Sequence, residues 1–175
     1  MNDVINALKN RRSFRKYKPD MVPKEIISEI VDAGLYAASG MGKQETKIIV
    51  VTNKETRDKF AEMNRKIGGW DEGFDPFYGA PVVLIVIGNK NTATHVYDGS
   101  LVIGNMMVAA HSLGIGSCWI HRAKEEFETP EGKELLKSLG IEGDWEGIGH
   151  CILGYTDGNT PKAAKRKADR VYFVE

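Results

Sequence analysis

The chain has 175 residues, 42% of them hydrophobic and 27% charged, and its 24 Lys and Arg balance 24 Asp and Glu to a formal net charge of zero. That composition excludes a disordered chain and one that grips nucleic acid by bulk charge. Surface scaling gives roughly 28,000 Å² for the unfolded chain and about 8,500 Å² folded, enough burial for a single domain over residues 1–175 without disulfides or metals.

Asn2, Asp3, Asn6 and Asn10 interleave with Val4, Ile5 and Leu8, the pattern of an amphipathic helix and not of a signal peptide. An irregular basic stretch follows up to Pro19. Pro23 then opens a second helix, with Ile26, Ile27, Ile30, Val31 and Leu35 at helical spacing as far as Ala38. Residues 46–52 read as a buried strand and residues 54–66 as a charged helix. Residues 68–79 form a long loop rich in glycine and aromatics, with Trp70, Phe74, Phe77 and Tyr78.

The unbroken apolar run at residues 80–87 predicts a strand covered on both faces. Residues 95–113 predict a helix apolar nearly all round, which needs a central position or a subunit interface. Residues 115–120 read as a third strand, 130–139 as a helix and 149–155 as a fourth strand. Residues 171–174 read as an edge strand or as an arm reaching across a partner. The order predicts an α+β sandwich, a short mixed sheet with helices on both sides. No stretch approaches the roughly 20 apolar residues that cross a bilayer, so a cytoplasmic protein is expected.

Zero net charge conceals an uneven distribution. Lys9, Arg11, Arg12, Arg15, Lys16 and Lys18 crowd one end of the chain, and Lys162, Lys165, Arg166, Lys167 and Arg170 the other, while residues 125–146 are acidic. Arg11-Arg12-Ser13-Phe14-Arg15 puts three guanidinium groups and a hydroxyl on one turn, a charge-assisted cradle for phosphate. On spacing alone a solvated basic turn fits equally well. Cys118 and Cys151 lie far apart without metal spacing, which reads as buried structural thiols. Gly114-Ile-Gly116 lacks the third glycine of a dinucleotide fingerprint and precedes a strand, so Gly114 reads as a helix C-cap. There is no Walker loop, H-E-x-x-H or nucleophile elbow, and His111 in its apolar helix reads as an interior or interface group.

In company these segments say more. Arg11-Arg12-Ser13-x-Arg15, the turn Ala37-Ala38-Ser39-Gly40-Met41-Gly42-Lys43-Gln44, Gly79-Ala80-Pro81, Ala110-His-Ser-Leu-Gly114, Gly116-Ser-Cys-Trp-Ile120 and Gly154-Tyr155 with its basic tail occur in one order. In that order the chain resembles the FMN-dependent nitroreductase family over nearly its whole length. The resemblance implies a nitroreductase-like three-layer sandwich, an intertwined homodimer with two FMN in its interface, and ping-pong electron transfer. NAD(P)H would be the donor, and a nitroaromatic or quinone the acceptor.

It also implies site residues. Arg11, Arg12, Ser13 and Arg15 would hold the phosphate and ribityl end of FMN, completed by Lys165, Arg166 or Lys167, with Arg166 ranked first. Ala38, Ser39, Gly40 and Gln44 would reach the ring of the partner subunit's flavin. Cys118, Trp119, Ile120 and His121 would run beside the ring and offer a backbone N–H near its N5, with Asn64 and Lys66 as further contacts. Trp70, Phe74, Phe77 or Tyr78 would roof the pocket, and His121 and Arg122 would tune the ring or the substrate entrance. No side-chain acid, base, nucleophile or metal ligand is nominated, because the cofactor carries the chemistry. Family members commonly have proline, asparagine and proline where this chain has Ala38, Gly42 and Glu45. That departure leaves room for a flavin-binding protein without turnover, used for storage or sensing, and the basic segments alone for an anion- or nucleic-acid-binding module.

Overall fold

The most apolar run of the chain lies in the middle of the sheet. In the computed structural model, which describes residues 2–175, β2 (Val82–Asn89) pairs on one side with β1 (Thr46–Val51) and on the other with β4 (Trp145–Gly154). Outside β4 lies β3 (Gly116–Ile120), giving the order β1-β2-β4-β3. Every pairing is antiparallel, which corrects the mixed sheet expected from the sequence. The connections between sequential strands contain helices; those from β1 to β2 and from β3 to β4 reverse the chain, whereas β2 and β3 run in the same sense and never meet because β4 lies between them.

Side chains of β2 alternate between two cores. Val83, Ile85 and Ile87 face one layer with Phe60, Ala61, Phe127 and Leu136. Val82, Leu84 and Val86 face the other, with Ile27, Ile30, Val102, Ile103 and Met106. The first layer therefore belongs to α3 (Lys54–Gly68), α5 (Ala123–Glu128) and α6 (Pro130–Ser138), and the second to α2 (Lys24–Leu35) and α4 (His95–Ser112). Period-two alternation with no polar face explains why the strand reads as a continuous apolar run.

Local chemistry sets the ends. The Asn53 side chain accepts from Thr56 N–H at the start of α3, and Thr129 does the same for Gly132 N–H at α6, whose first residue is proline. Gly114, at φ 74°, follows α4 as expected of a C-terminal cap. α1 (Asp3–Asn10) buries none of its residues.

Three boundaries depart from expectation. α5 is additional, β4 begins at Trp145, and residues 171–174 form no strand and lie exposed. Cys118 and Cys151 are free and buried, on opposite faces of the sheet. Among the described residues, no helix is long and apolar enough to cross a membrane.

Candidate functional site

The basic turn is laid along the outer edge of β3. Phe14 N–H donates to Ser117 O at 3.1 Å, with Ser13 and Ser117 in a parallel bridge. Further on, Lys18 N–H donates to Tyr155 O at 2.9 Å and Asp157 N–H to Lys16 O at 3.1 Å. Tyr17 lies buried beneath this seam, its hydroxyl donating to Phe14 O at 2.9 Å. The seam explains Gly116: a Cβ there would stand 2.4 Å from Thr156 Cγ2 and 3.2 Å from Tyr17 Cε1. The glycine makes room for the seam and not for a dinucleotide.

Beside the seam opens a cleft of about 650 Å³. Lys9, Arg11, Arg12 and Ser13 line one side, and Ala163, Ala164 and Arg166 the other. Segments 150 residues apart therefore meet, as their shared charge suggested. Arg12 Nη1 donates to Lys9 O and Arg11 O, both at 2.8 Å, closing the end of α1. Among the described residues, Arg11 Nη1 and Arg12 Nε are buried without a partner, as is the Ser117 hydroxyl on β3. Buried donors almost always find an acceptor, so two guanidinium nitrogens left over at a cleft fit an anionic group. Arg166 bonds only to Ala164 O, through Nε and Nη2 at 3.1 and 2.7 Å, and is otherwise exposed.

Not every expected residue arrives there. Arg15 is exposed outside the cleft lining, and Lys165 and Lys167 are exposed along the tail. Behind Ser13, burial pushes the Cys118 thiol pKa up, an effect partly offset by Arg15, by the Ser13 side chain and by Arg11.

The Ser39 turn stands at a separate place, against the start of α4. Gly40 N–H donates to Asp98 Oδ1 at 3.1 Å and Thr94 Oγ1 to Asp98 Oδ2 at 2.9 Å, while Ser39 Oγ accepts from Gln44 N–H at 3.0 Å. Met41 and Gln44 both adopt positive φ. Asp98, buried at the base of this turn, was not anticipated: an acid in an otherwise apolar helix was the available signal. Ala38, Ser39 and Gln44 line a small pocket that shares no residue with the basic cleft.

At the far end of β3, Ile120 is buried and His121 exposed. The Trp119 side chain packs into the α2/α4 layer, so it is the backbone of residues 118–121 that remains for a neighbour. Asn64 lies behind this end of the strand: its side chain is fully buried, its Nδ2 donates to His121 O at 2.8 Å and Glu126 Oε1 at 2.7 Å, and its Oδ1 is without a partner among the described residues. Lys66 is exposed and pairs with Glu62 at 3.5 Å.

The aromatic loop divides in two. Phe77 is fully buried under the Arg57 guanidinium and against His150, so it cannot roof a pocket. Trp70, Phe74 and Tyr78 form a chain of ring contacts at 5.0 and 5.9 Å, and the Arg122 guanidinium sits 4.4 Å over Trp70. Asp75 ties the loop down: it pairs with Arg57 and accepts from the N–H groups of Phe77 and Gly79.

The comparisons with known proteins agree with this geometry. The model of the nitroreductase family matches residues 8–68 and 69–155. A protein of Methanothermobacter thermautotrophicus provisionally named NADH dehydrogenase/NAD(P)H nitroreductase is 36% identical over 126 residues, 67% of this chain and 60% of its own length. The FMN reductase [NAD(P)H] of Bacillus subtilis is 27% identical over 139 residues, 67% of this chain and 53% of its own. The chain thus spans little more than half the length of these two curated relatives. A solved nitroreductase with bound FMN from Bacteroides fragilis superimposes with a TM-score of 0.91 at 30% identity, over 100% of both chains. The chain belongs to the nitroreductase family.

Proposed function

We propose that this chain is an FMN-dependent oxidoreductase that takes electrons from NAD(P)H and passes them to an electron-poor acceptor of the nitroaromatic or quinone type. The observation that carries the reading is the pair of unpartnered buried guanidinium nitrogens, Arg11 Nη1 and Arg12 Nε, at a cleft lined by both basic segments. Arg11, Arg12, Ser13 and Arg166 would hold the phosphate, and the backbone of Cys118, Trp119, Ile120 and His121 would lie beside the ring. FMN held there would supply two-electron redox chemistry between NAD(P)H and the acceptor, in ping-pong order.

The protein's own part is orientation and electrostatics. Guanidinium forks suit a phosphate dianion, and fixed backbone dipoles stabilise charge without reorganising. Trp70, Phe74 and Tyr78, braced by Arg122, would exclude water from one side.

The reading includes a cytoplasmic homodimer. The accessible surface of 10,759 Å² exceeds the about 8,500 Å² expected of a compact chain of this mass. Val4 and Leu8 of α1 and Tyr97 and Leu101 of α4 are exposed, as is the whole run Val171–Val174. A groove of about 730 Å³ beside the unpaired edge of β1 is lined by Met21, Ile27, Val31 and Val50. The tail of a second copy, laid as a strand against that edge, would cover both. Ser39, Gly40 and Gln44 of each subunit would then approach the partner's site.

The test is anaerobic mixing of the FMN-loaded protein with NADH or NADPH. Bleaching of the flavin absorbance, and its return on adding a quinone, are expected. An FMN-loaded protein that neither nicotinamide bleaches would refute the enzyme and leave a binding protein.

A further inference from the structure

Behind the far end of β3 lies a buried polar cluster for which electron transfer, as described so far, has no use. His150 and Glu126 are both fully buried, and His150 Nε2 stands 2.6 Å from Glu126 Oε2. The other ring nitrogen, Nδ1, is 3.1 Å from Ile120 O. A carbonyl oxygen can only accept, so Nδ1 carries a hydrogen, and the second proton is shared between Nε2 and the Glu126 carboxyl. Wherever that proton sits, the pair is neutral overall, which makes its burial tolerable. Glu126 Oε1 accepts from Asn64 Nδ2, and the same nitrogen donates to His121 O. One connected cluster drawn from α3, α5 and β4 therefore holds two successive carbonyls, those of Ile120 and His121.

Holding these carbonyls fixes what lies across each peptide plane. No peptide bond among the described residues is cis, so the N–H of His121 points opposite to Ile120 O, and the N–H of Arg122 opposite to His121 O. Both donors are thereby turned away from the cluster. Neither finds an acceptor among the described residues. Arg122 then turns the chain sharply at φ 80°.

We infer that Asn64, Glu126 and His150 are positioning residues that aim the backbone N–H groups of His121 and Arg122 at the flavin ring. The inference rests on the FMN reading above. The cluster touches neither the phosphate cleft nor the exposed side of the aromatic loop, so it acts on the ring end alone. Its removal changes the relative affinity for oxidised and reduced FMN while leaving the phosphate grip in place.

The test is the two-electron midpoint potential of FMN bound to the wild type, Asn64→Ala, Glu126→Ala and Glu126→Gln, with FMN affinity and thermal unfolding measured alongside. Asn64→Ala and Glu126→Ala are expected to change the ratio of affinities for the two redox states at least tenfold, about 30 mV for two electrons. Glu126→Gln keeps an oxygen for Asn64 and offers an N–H to Nε2, and is expected to stay within threefold of wild type. Asn64→Ala removes no buried charge, so it reports even where Glu126→Ala does not fold. Folded, FMN-loaded variants with the wild-type potential would overturn the inference and leave the FMN reading standing. A wild-type protein that takes up no FMN would overturn both.

Discussion

The amide of Phe14 donates to the carbonyl of Ser117 at 3.1 Å, and this bond joins the basic turn to the edge strand that runs on to Arg122, whose guanidinium covers Trp70 of the aromatic loop. Ser117 lies towards one end of β3 and Ile120 at the other, so the strand spans from the basic turn to the buried Asn64–Glu126–His150 cluster. A mononucleotide flavin has the same polarity, anionic at one end and planar at the other. The fold presents matching chemistry at the two ends of one strand.

The cluster depends on a close backbone approach. A Cβ on Gly147 would lie 2.1 Å from Ala123 O and 2.3 Å from Ala123 C, which are backbone atoms of α5. Gly147→Ala is therefore expected to push α5, and Glu126 with it, off the sheet, costing about 1–3 kcal/mol in urea unfolding. Gly104→Ala in α4 meets nothing within 4 Å and is expected to be neutral or to stabilise by up to about 1 kcal/mol. Equal effects of the two would contradict this packing.

Arg57 anchors the aromatic loop. Its guanidinium pairs with Asp75, donates to Ala80 O at 3.1 Å and covers Phe77. Arg57→Ala is expected to cost about 1–3 kcal/mol, because it strips a partly exposed charge pair and leaves the buried Ala80 carbonyl without its donor. Limited proteolysis is expected to cut first within residues 69–79. A variant as stable and as resistant as wild type would refute the anchor.

Alkaline pH is expected to weaken the fold. Burial pushes the thiol pKa values of Cys118 and Cys151 up from 9.0, and burial likewise pushes the Tyr17 phenol up from 10.0. The unfolded chain loses these protons first, so the native state holds more of them. The stabilisation is complete below pH 9 and falls as pH rises towards the raised native values. Each group costs up to about 1.4 kcal/mol per pH unit in that range. Urea midpoints between pH 8 and 11 measure the slope, and Cys151→Ala should flatten it by one group. A pH-independent midpoint would contradict the buried, protonated thiols.

The sheet and its covering helices were largely legible because their signal is periodic. The continuous apolar run in β2 and the helical spacing of Ile26, Ile30 and Val31 lead directly to the elements found. Strand direction was not, because antiparallel and parallel strands buried on both faces share one apolar pattern. α5 escaped because six residues with three glutamates carry no apolar period. In the site, the two basic segments were legible from charge alone, whereas Asp98, Glu126 and His150 were not. Each works by a long-range contact, with Gly40, Asn64 and Ile120 respectively, that no local spacing encodes. Asn64 was noticed for this region, but its contacts with Glu126 and His121 O were not, since a buried amide and a ligand-facing one look alike in sequence.

The central claim is that one phosphate draws the two ends of the chain together, and it is tested most directly by comparing FMN with riboflavin, which lacks the phosphate. Fluorescence titration of wild type, Arg11→Ala, Arg166→Ala and the double variant gives both affinities. Each single change should weaken FMN binding about 10- to 100-fold, with riboflavin affinity unchanged within threefold. In the double variant the preference for FMN over riboflavin should fall further than in either single variant, with Arg12 and Ser13 left to hold the phosphate. An Arg11→Ala protein that still prefers FMN over riboflavin by the wild-type ratio would contradict the account.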